Sequence, residues 1–338
     1  MLITLNVMLS SIEFGAAPVS QHFLLSAAAR TLSLSAVARM SDEEARDAFR
    51  RIRWADNDGE PYCPRCGCLT VHALATRAVW KCGGCKHQFS VTSGTIFSNR
   101  KRPIRDYLLA IAIFANGAKG HSALQLSRDL DCQYKTAFVL AHKLREAIAS
   151  EQRDVSLSGT VEVDGAHFST QAKPKNKVED RVDRRLAEEQ IGKRRVVVVM
   201  RERGGRTLPF VVAKESDSVS IVRSRVAYGS VVHADEGAGW DSLYAHYDMR
   251  RINHSIAYSL DGACVNQAES FFARLRRSQY GIHHRIGGRL LHRYACEMAW
   301  REDRRRISNG DQSREIAALA LRHPVSREWA GYWQRSAA

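Results

Sequence analysis

Hydrophobic and polar positions recur on two different periods along this chain, and the change falls just before residue 160. Upstream, apolar residues return at helical spacing. Ser41 opens the stretch SDEEARDAFRRIRW as an N-cap, and Glu44 completes a capping-box pattern, so a helix is expected to end near Trp54. Ile104 to Ala115 (IRDYLLAIAIFA) is apolar enough for a core helix, broken by Asn116-Gly117. Ser122 to Leu130, a break at Asp131-Cys132, and Gln133 to Ala149 read as two helices joined by a tight turn, with Phe138, Leu140, Leu144 and Ile148 as a buried face. From Thr160 the period is two. Val161 and Val163 in TVEVDGAHF make a half-buried strand with Asp164 at its end. Val196 to Met200 and Leu208 to Val212 read as a hairpin about Gly204-Gly205, and Val231-Val232 supplies a further strand. Helical spacing returns at Asn266 and, in the tail from Gln312 to Ala338, around Glu315 to Arg322.

With 338 residues the chain can hold two or three cores. The pattern divides it into an N-terminal segment (1–40), a helix with a four-cysteine module (41–98), a helix-turn-helix-like region (99–152), a strand-rich α/β domain (157–306) and a helical tail (307–338). Residues 1 to 20 lack a basic start and contain Glu13, so no signal peptide is read, and regular structure is expected from near Gln21 or Phe23. No apolar run approaches the roughly 20 residues that span a bilayer, so a cytoplasmic chain without a membrane partner is expected.

Charge narrows the partner. Lys and Arg number 51 against 36 Asp and Glu, a net charge of +15, which favours a polyanion such as double-stranded DNA. Arginines cluster at Arg274-Leu275-Arg276-Arg277 and Arg304-Arg305-Arg306. Their forks match phosphate bidentately, although such runs also serve as solvated faces. In the helical pair, Gln133, Tyr134 and Lys135 would stand at the start of a recognition helix, with Lys143 and Arg145 on phosphates. Lys173, Lys175 and Lys177 lie in the polar stretch from Ser169 to Arg194, read as a loop over the active face or along DNA.

Cysteine spacing carries the most specific chemistry. Cys63-Pro-Arg-Cys66 and Cys82-Gly-Gly-Cys85 are separated by fifteen residues, and four thiolates fill the tetrahedral shell of a structural zinc. No coordination position is left for catalysis. Cys68 is spare, and His87 would be a ligand only if Cys85 were not. Arg77, Trp80 and Lys81 in the hairpin, with Lys86, His87 and Gln88 after it, are candidate DNA contacts.

Three acids form the second candidate centre: Asp164 after one strand, Asp235 after another, and Glu269 on a helix. Each alone reads as a turn or surface residue. Together they would repel one another and raise their pKa values, unless magnesium or manganese sat between them. Asn266 and Glu269 are an i,i+3 pair, and Arg276 lies two turns on, along the same face. His233, His254, His283 and His284 are nearby candidates for proton transfer, more often structural, and Trp240 reads as core or as a platform for a flipped base.

These stretches resemble a known family. CPRCGC with KCGGCKHQFSVTSGTIF, then VEVDGAHF, HADEGAGWDSL, NQAESFFARLRR, GIHHRI and YACEMAWRED are similar to zinc-ribbon DDE transposases of bacterial insertion sequences, the ISXO2-like group, over about residues 40 to 306. The resemblance implies a ribonuclease H-like catalytic domain, which the order of strands and helices also fits. It implies Asp164, Asp235 and Glu269 as metal ligands, with Asn266 sometimes counted as the third member. It also implies binding of transposon ends, metal-dependent cleavage and strand transfer, and at least a dimer on DNA. Relatives commonly carry lysine where Arg276 stands, and an arginine, an aromatic residue and then asparagine where this chain has Arg301-Glu302-Asp303. Glu297 matches a family acid and is an alternative carboxylate. The rival readings are an inactive DNA-binding protein or repressor derived from a transposase, and a nuclease that cuts without joining.

Overall fold

A computed structural model describes residues 22–170, 177–179, 194–253 and 264–335. Gln21, His254, Lys173, Lys175 and most of the stretch from Ser169 to Arg194 lie outside the described residues. Lys177 lies within them, exposed and 3.4 Å from Glu179.

After a short helix α1 (Leu34–Arg39), helix α2 (Asp42–Arg53) begins at the expected capping box. The Ser41 amide donates to Glu44 Oε2 at 2.7 Å, while the Glu44 amide donates to Ser41 Oγ at 3.2 Å. Trp54 ends the helix and seats the cysteine module, its ring 5.5 Å from Trp80 and 6.2 Å from Phe89. The module is a three-stranded antiparallel sheet, β1 (Val71–Ala73), β2 (Trp80–Cys82) and β3 (Gln88–Phe89). Helices α3 (Ile104–Asn116), α4 (Ala123–Asp129) and α5 (Tyr134–Ser150) follow at the expected positions.

A five-stranded sheet forms the second half, in the order β6 (Thr207–Val212), β5 (Arg194–Glu202), β4 (Thr160–Ser169), β7 (Val231–Asp235), β8 (Asp248–Ile252). The first three strands are antiparallel, whereas β7 and β8 run parallel to β4. Both faces are covered. Val161, Val163, Val198 and Met200 pack with Trp240, Leu243 and Val222 of α6 (Val219–Arg225). Ala166, Phe168, Val197 and Val199 pack against Phe271, Phe272 and Leu275 of α7 (Asn266–Ser278) and Leu291, Ala295 and Ala299 of α8 (Leu291–Asp303). Burial of each large side chain contributes about 1.5–3 kcal/mol, so this face holds α7 firmly against β4.

One expectation changes here. Asp164 does not end its strand. Parallel pairing with β7 stops at Val163↔Ala234, but antiparallel pairing with β5 continues to Ser169↔Arg194, so β4 runs past the acid. The tail, whose partner the sequence leaves open between the α/β domain and a second protomer, closes the helical layer and reaches α8 of the α/β domain. Ile316, Ala317 and Leu321 of α9 (Asn309–Arg322) join the core containing Phe114, Leu144 and Trp300, and Phe138 of α5 meets Trp329 and Trp333 at 5.9 and 5.7 Å.

Candidate functional site

Sheet register brings the acids to one place. Glu162, Asp164, Ala166 and Phe168 share the face of β4 that carries α7, and the pairs Glu162↔His233 and Val163↔Ala234 lead directly to Asp164 and Asp235 on neighbouring strands. Helix α7 lies over this face with Glu269 in its first turn. The electrostatics register that placement. Burial first, then the charges of Asp235, Glu215 and Glu269, push the Asp164 carboxyl up to about 7, against the Gly165 amide that donates to it at 2.7 Å. A carboxylate in that state holds a proton that a cation would replace.

Asp235 is held by its own neighbours. Its Oδ1 accepts from the Trp240 indole at 2.9 Å and from the Gly237 amide at 3.1 Å. Trp240 is fully buried, so it acts as core and as a donor to the acid, not as a platform for a base. Asn266 is exposed at the first position of α7; two turns past Glu269, exposed Arg276 lies with its guanidinium 5.6 Å from the Phe168 ring.

Glu215, in a 3-10 turn (Glu215–Ser218) after β6, is a fourth acid that sequence reasoning missed. Its carboxylate lies where a Cβ on Gly165 would stand, 1.8 Å from Oε1, so only glycine lets it approach the strand. Burial and then Asp235 raise its pKa. The Asp-Gly dipeptide was the available signal, legible as close approach rather than as a turn. Among the described residues, the ligand atoms that lie within 4.8 Å of one another belong to four cysteines and not to these acids.

Those cysteines are Cys63, Cys66, Cys82 and Cys85, as expected. Cys63 Sγ lies 3.6 Å from Cys85 Sγ, and Cys66 Sγ 3.6 Å from Cys82 Sγ. A tetrahedral zinc with bonds of about 2.3 Å needs sulfur separations of about 3.8 Å, so the thiols fit the ion. Burial opposes ionisation of Cys82, but amides of Cys85 and Gly84 and its cysteine neighbours pull that thiol down to about 6. Cys68 stays outside the cluster, donating to the Thr70 carbonyl, while His87 stacks on Phe89. Trp80 packs into the module with Trp54 and Phe89, which removes it from the candidate DNA contacts; Arg77, Lys81, Lys86 and Gln88 are exposed.

The helical pair divides the remaining candidates. Gln133, Tyr134 and Lys135 are exposed at the start of α5, and the Trp333 indole donates to the Lys135 carbonyl at 3.3 Å. Lys143 is half-buried. Arg145 is corrected: it is only 1% exposed, its Nε donates to Glu297 Oε2 at 2.6 Å, and no phosphate can reach it. Glu297 is corrected with it. Also 1% exposed, it is clamped by Arg145 and by Arg301 at 2.9 Å, which assigns it to the helical interior and not to the acid centre. His283 lies against the same interior, His284 is exposed, and Arg304 is paired with Glu151 at 2.6 Å.

Fold and site together define a zinc-ribbon protein with an α/β domain built around an acidic centre. Residues 156–303 match the ISXO2-like transposase domain, and residues 40–88 match the transposase zinc-ribbon domain. Both matched domains are those of zinc-ribbon insertion-sequence transposases. It is also 24% identical over 251 residues to an uncharacterized protein in transposable element ISH50 of Halobacterium salinarum, an alignment covering 70% of this chain and 83% of that protein.

Proposed function

We propose that the protein binds the ends of an insertion sequence as double-stranded DNA, cleaves them and joins them to target DNA, using a ribonuclease H-like domain. The observation that carries this reading is that half-buried Asp164 and Asp235 stand on neighbouring strands on the face covered by the helix whose first turn carries Glu269, and that the charges of Asp235, Glu215 and Glu269 all reach Asp164. The sheet order, with β4 central and parallel to β7, supports the fold assignment.

Asp164, Asp235 and Glu269 would hold magnesium or manganese, since hard carboxylate oxygens suit these ions and a cation would relieve the repulsion at Asp164. When bound, the metal supplies charge that polarises a phosphodiester oxygen and lowers the pKa of an attacking water or 3′ hydroxyl. The protein's own groups do the rest. Trp240 and the Gly237 amide both donate to one oxygen of Asp235 and would leave the other for a cation. Arg276 offers its fork to a phosphate beside the acids, and Asn266, exposed at the head of α7, is in reach of the same backbone. Gln133, Tyr134 and Lys135 read base edges from a helix-turn-helix-like pair, with half-buried Lys143 on a phosphate. Bringing two ends together requires at least two protomers, and the reaction takes place on chromosomal DNA in the cytoplasm.

The test is a magnesium-dependent cleavage and strand-transfer assay on DNA from the flanks of the gene. The parent should give cleaved and joined products. Asp164→Asn should lose more than about 100-fold, beyond what residues merely supporting metal ligands typically cost, while still binding the same DNA. Binding without cleavage by the parent in either magnesium or manganese would favour a DNA-binding derivative; cleavage without joining would favour a nuclease.

A further inference from the structure

Beneath the acid centre lies a polar group of side chains that the proposed chemistry does not use. Glu162 stands two residues before Asp164 on the same face of β4 and is 0% exposed. Its Oε2 accepts from the amides of Gln267 at 2.8 Å and Ala268 at 3.2 Å, in the first turn of α7, where Val265 offers no side-chain cap. The carboxylate thus closes the positive end of the helix that carries Glu269. Its other oxygen accepts from Arg203 Nε at 3.0 Å.

Arg203 extends the connection. Its Nη2 donates to the Cys264 carbonyl at 3.2 Å and lies 3.3 Å from His233 Nδ1. The Cys264 amide donates to that same nitrogen at 3.2 Å. An amide can only donate, so Nδ1 of His233 acts as an acceptor and any ring proton of the neutral imidazole sits on Nε2. His233 is the register partner of Glu162 and stands two residues before Asp235. One network therefore joins the strand of Asp164, the strand of Asp235 and the helix of Glu269.

We infer that Glu162 is a positioning residue for the acid centre: through the amides of Gln267 and Ala268 it sets the distance between α7 and β4, and so the placement of Glu269 relative to Asp164. Arg203, in the turn after β5, and His233, on β7, complete the clamp. This inference rests on the proposed catalytic reading. A generic cap would stabilise α7 in any rotation. A cap that shares a strand face with the acid opposite the helix fixes both rotation and height.

The test is calorimetric titration of the zinc-loaded, full-length protein with Mn2+, which reads the centre without relying on turnover. Glu162→Gln should weaken Mn2+ binding by about 10- to 100-fold, the range for residues that orient metal ligands, while zinc content and DNA binding stay parental. Glu162→Asp, which keeps the charge and shortens the reach, should fall between the two and serves if the glutamine variant fails to fold. Glu162→Gln combined with Glu269→Gln should bind no more weakly than Glu269→Gln alone, because the first acts through the second. Parental Mn2+ affinity in Glu162→Gln, or losses that simply add, would overturn the positioning role. If instead Asp164→Asn and Glu269→Gln bind Mn2+ as the parent does, the acid centre itself is wrong, which is a different result.

Discussion

Removing zinc from the four-cysteine centre is expected to melt the ribbon from Cys63 to Phe89 and to loosen the end of α2 with it. The sheet consists of strands of three, three and two residues, far too little to bury a core of its own. Its buried side chains are chiefly Cys63, Cys82 and Phe89, and two of these are ligands. Binding of a structural zinc is worth about 10–16 kcal/mol in small modules of this kind, and that energy is what holds the knuckles closed. The consequence should reach Trp54, whose ring packs on Trp80, Phe89 and Tyr62. Chelation, or Cys82→Ser, should therefore shift tryptophan emission to the red, open residues 55–91 to protease and release about one zinc per chain. An emission spectrum and cleavage pattern unchanged after chelation would mean that the ribbon stands without its metal.

Glu297→Ala is expected to lower stability by about 3–5 kcal/mol, read from the urea midpoint, because it leaves two buried guanidinium groups without their anion. Arg145 and Glu297 are each 1% exposed, and Arg301 is 8% exposed. Arg301 also donates to the carbonyls of Phe114 and Ala115, and both arginines lie over the Phe114 ring. Gly120, at φ +91°, packs its backbone onto Glu297, where a Cβ would stand 3.4 Å from Oε1. The pH dependence has a definite sign. Burial pushes the Glu297 carboxyl up, but Arg145 and then Arg301 outweigh it and hold the carboxyl at about 2. The folded value lies below the unfolded one, so the stabilisation is complete above about pH 4.5 and fades as pH falls toward 2. The parent should lose stability through that window more steeply than Glu297→Gln. A loss under about 1 kcal/mol for Glu297→Ala would contradict this account.

Local signals in the sequence translate well into local structure. Ser41 and Glu44 form their capping box, Gly204-Gly205 marks the hairpin between β5 and β6, and the two Cys-x-x-Cys pairs place four sulfurs together. The positions of Asp164 and Asp235 just past the end of a parallel pairing, and of Glu269 in the first turn of a helix, follow from similar local signals. What escapes is everything decided by distant partners. Arg145 reads as a phosphate ligand until Glu297, 152 residues away, is seen to neutralise it. Glu162 reads as the polar side of a half-buried strand, because alternation cannot show that α7 covers that side too. Glu215 lies in a turn with no periodicity, and its relevance comes only from its approach to Gly165.

We propose that Asp164, Asp235 and Glu269, from two strands and a helix, share one divalent-metal site. The most direct measurement loads the zinc-bound protein with ferrous iron in place of magnesium and maps where locally generated hydroxyl radicals cut the backbone. Cuts are expected close to all three residues, suppressed together by excess magnesium and lost together in Asp164→Asn. Cuts confined to one of these segments, or unchanged in Asp164→Asn, would contradict a shared site.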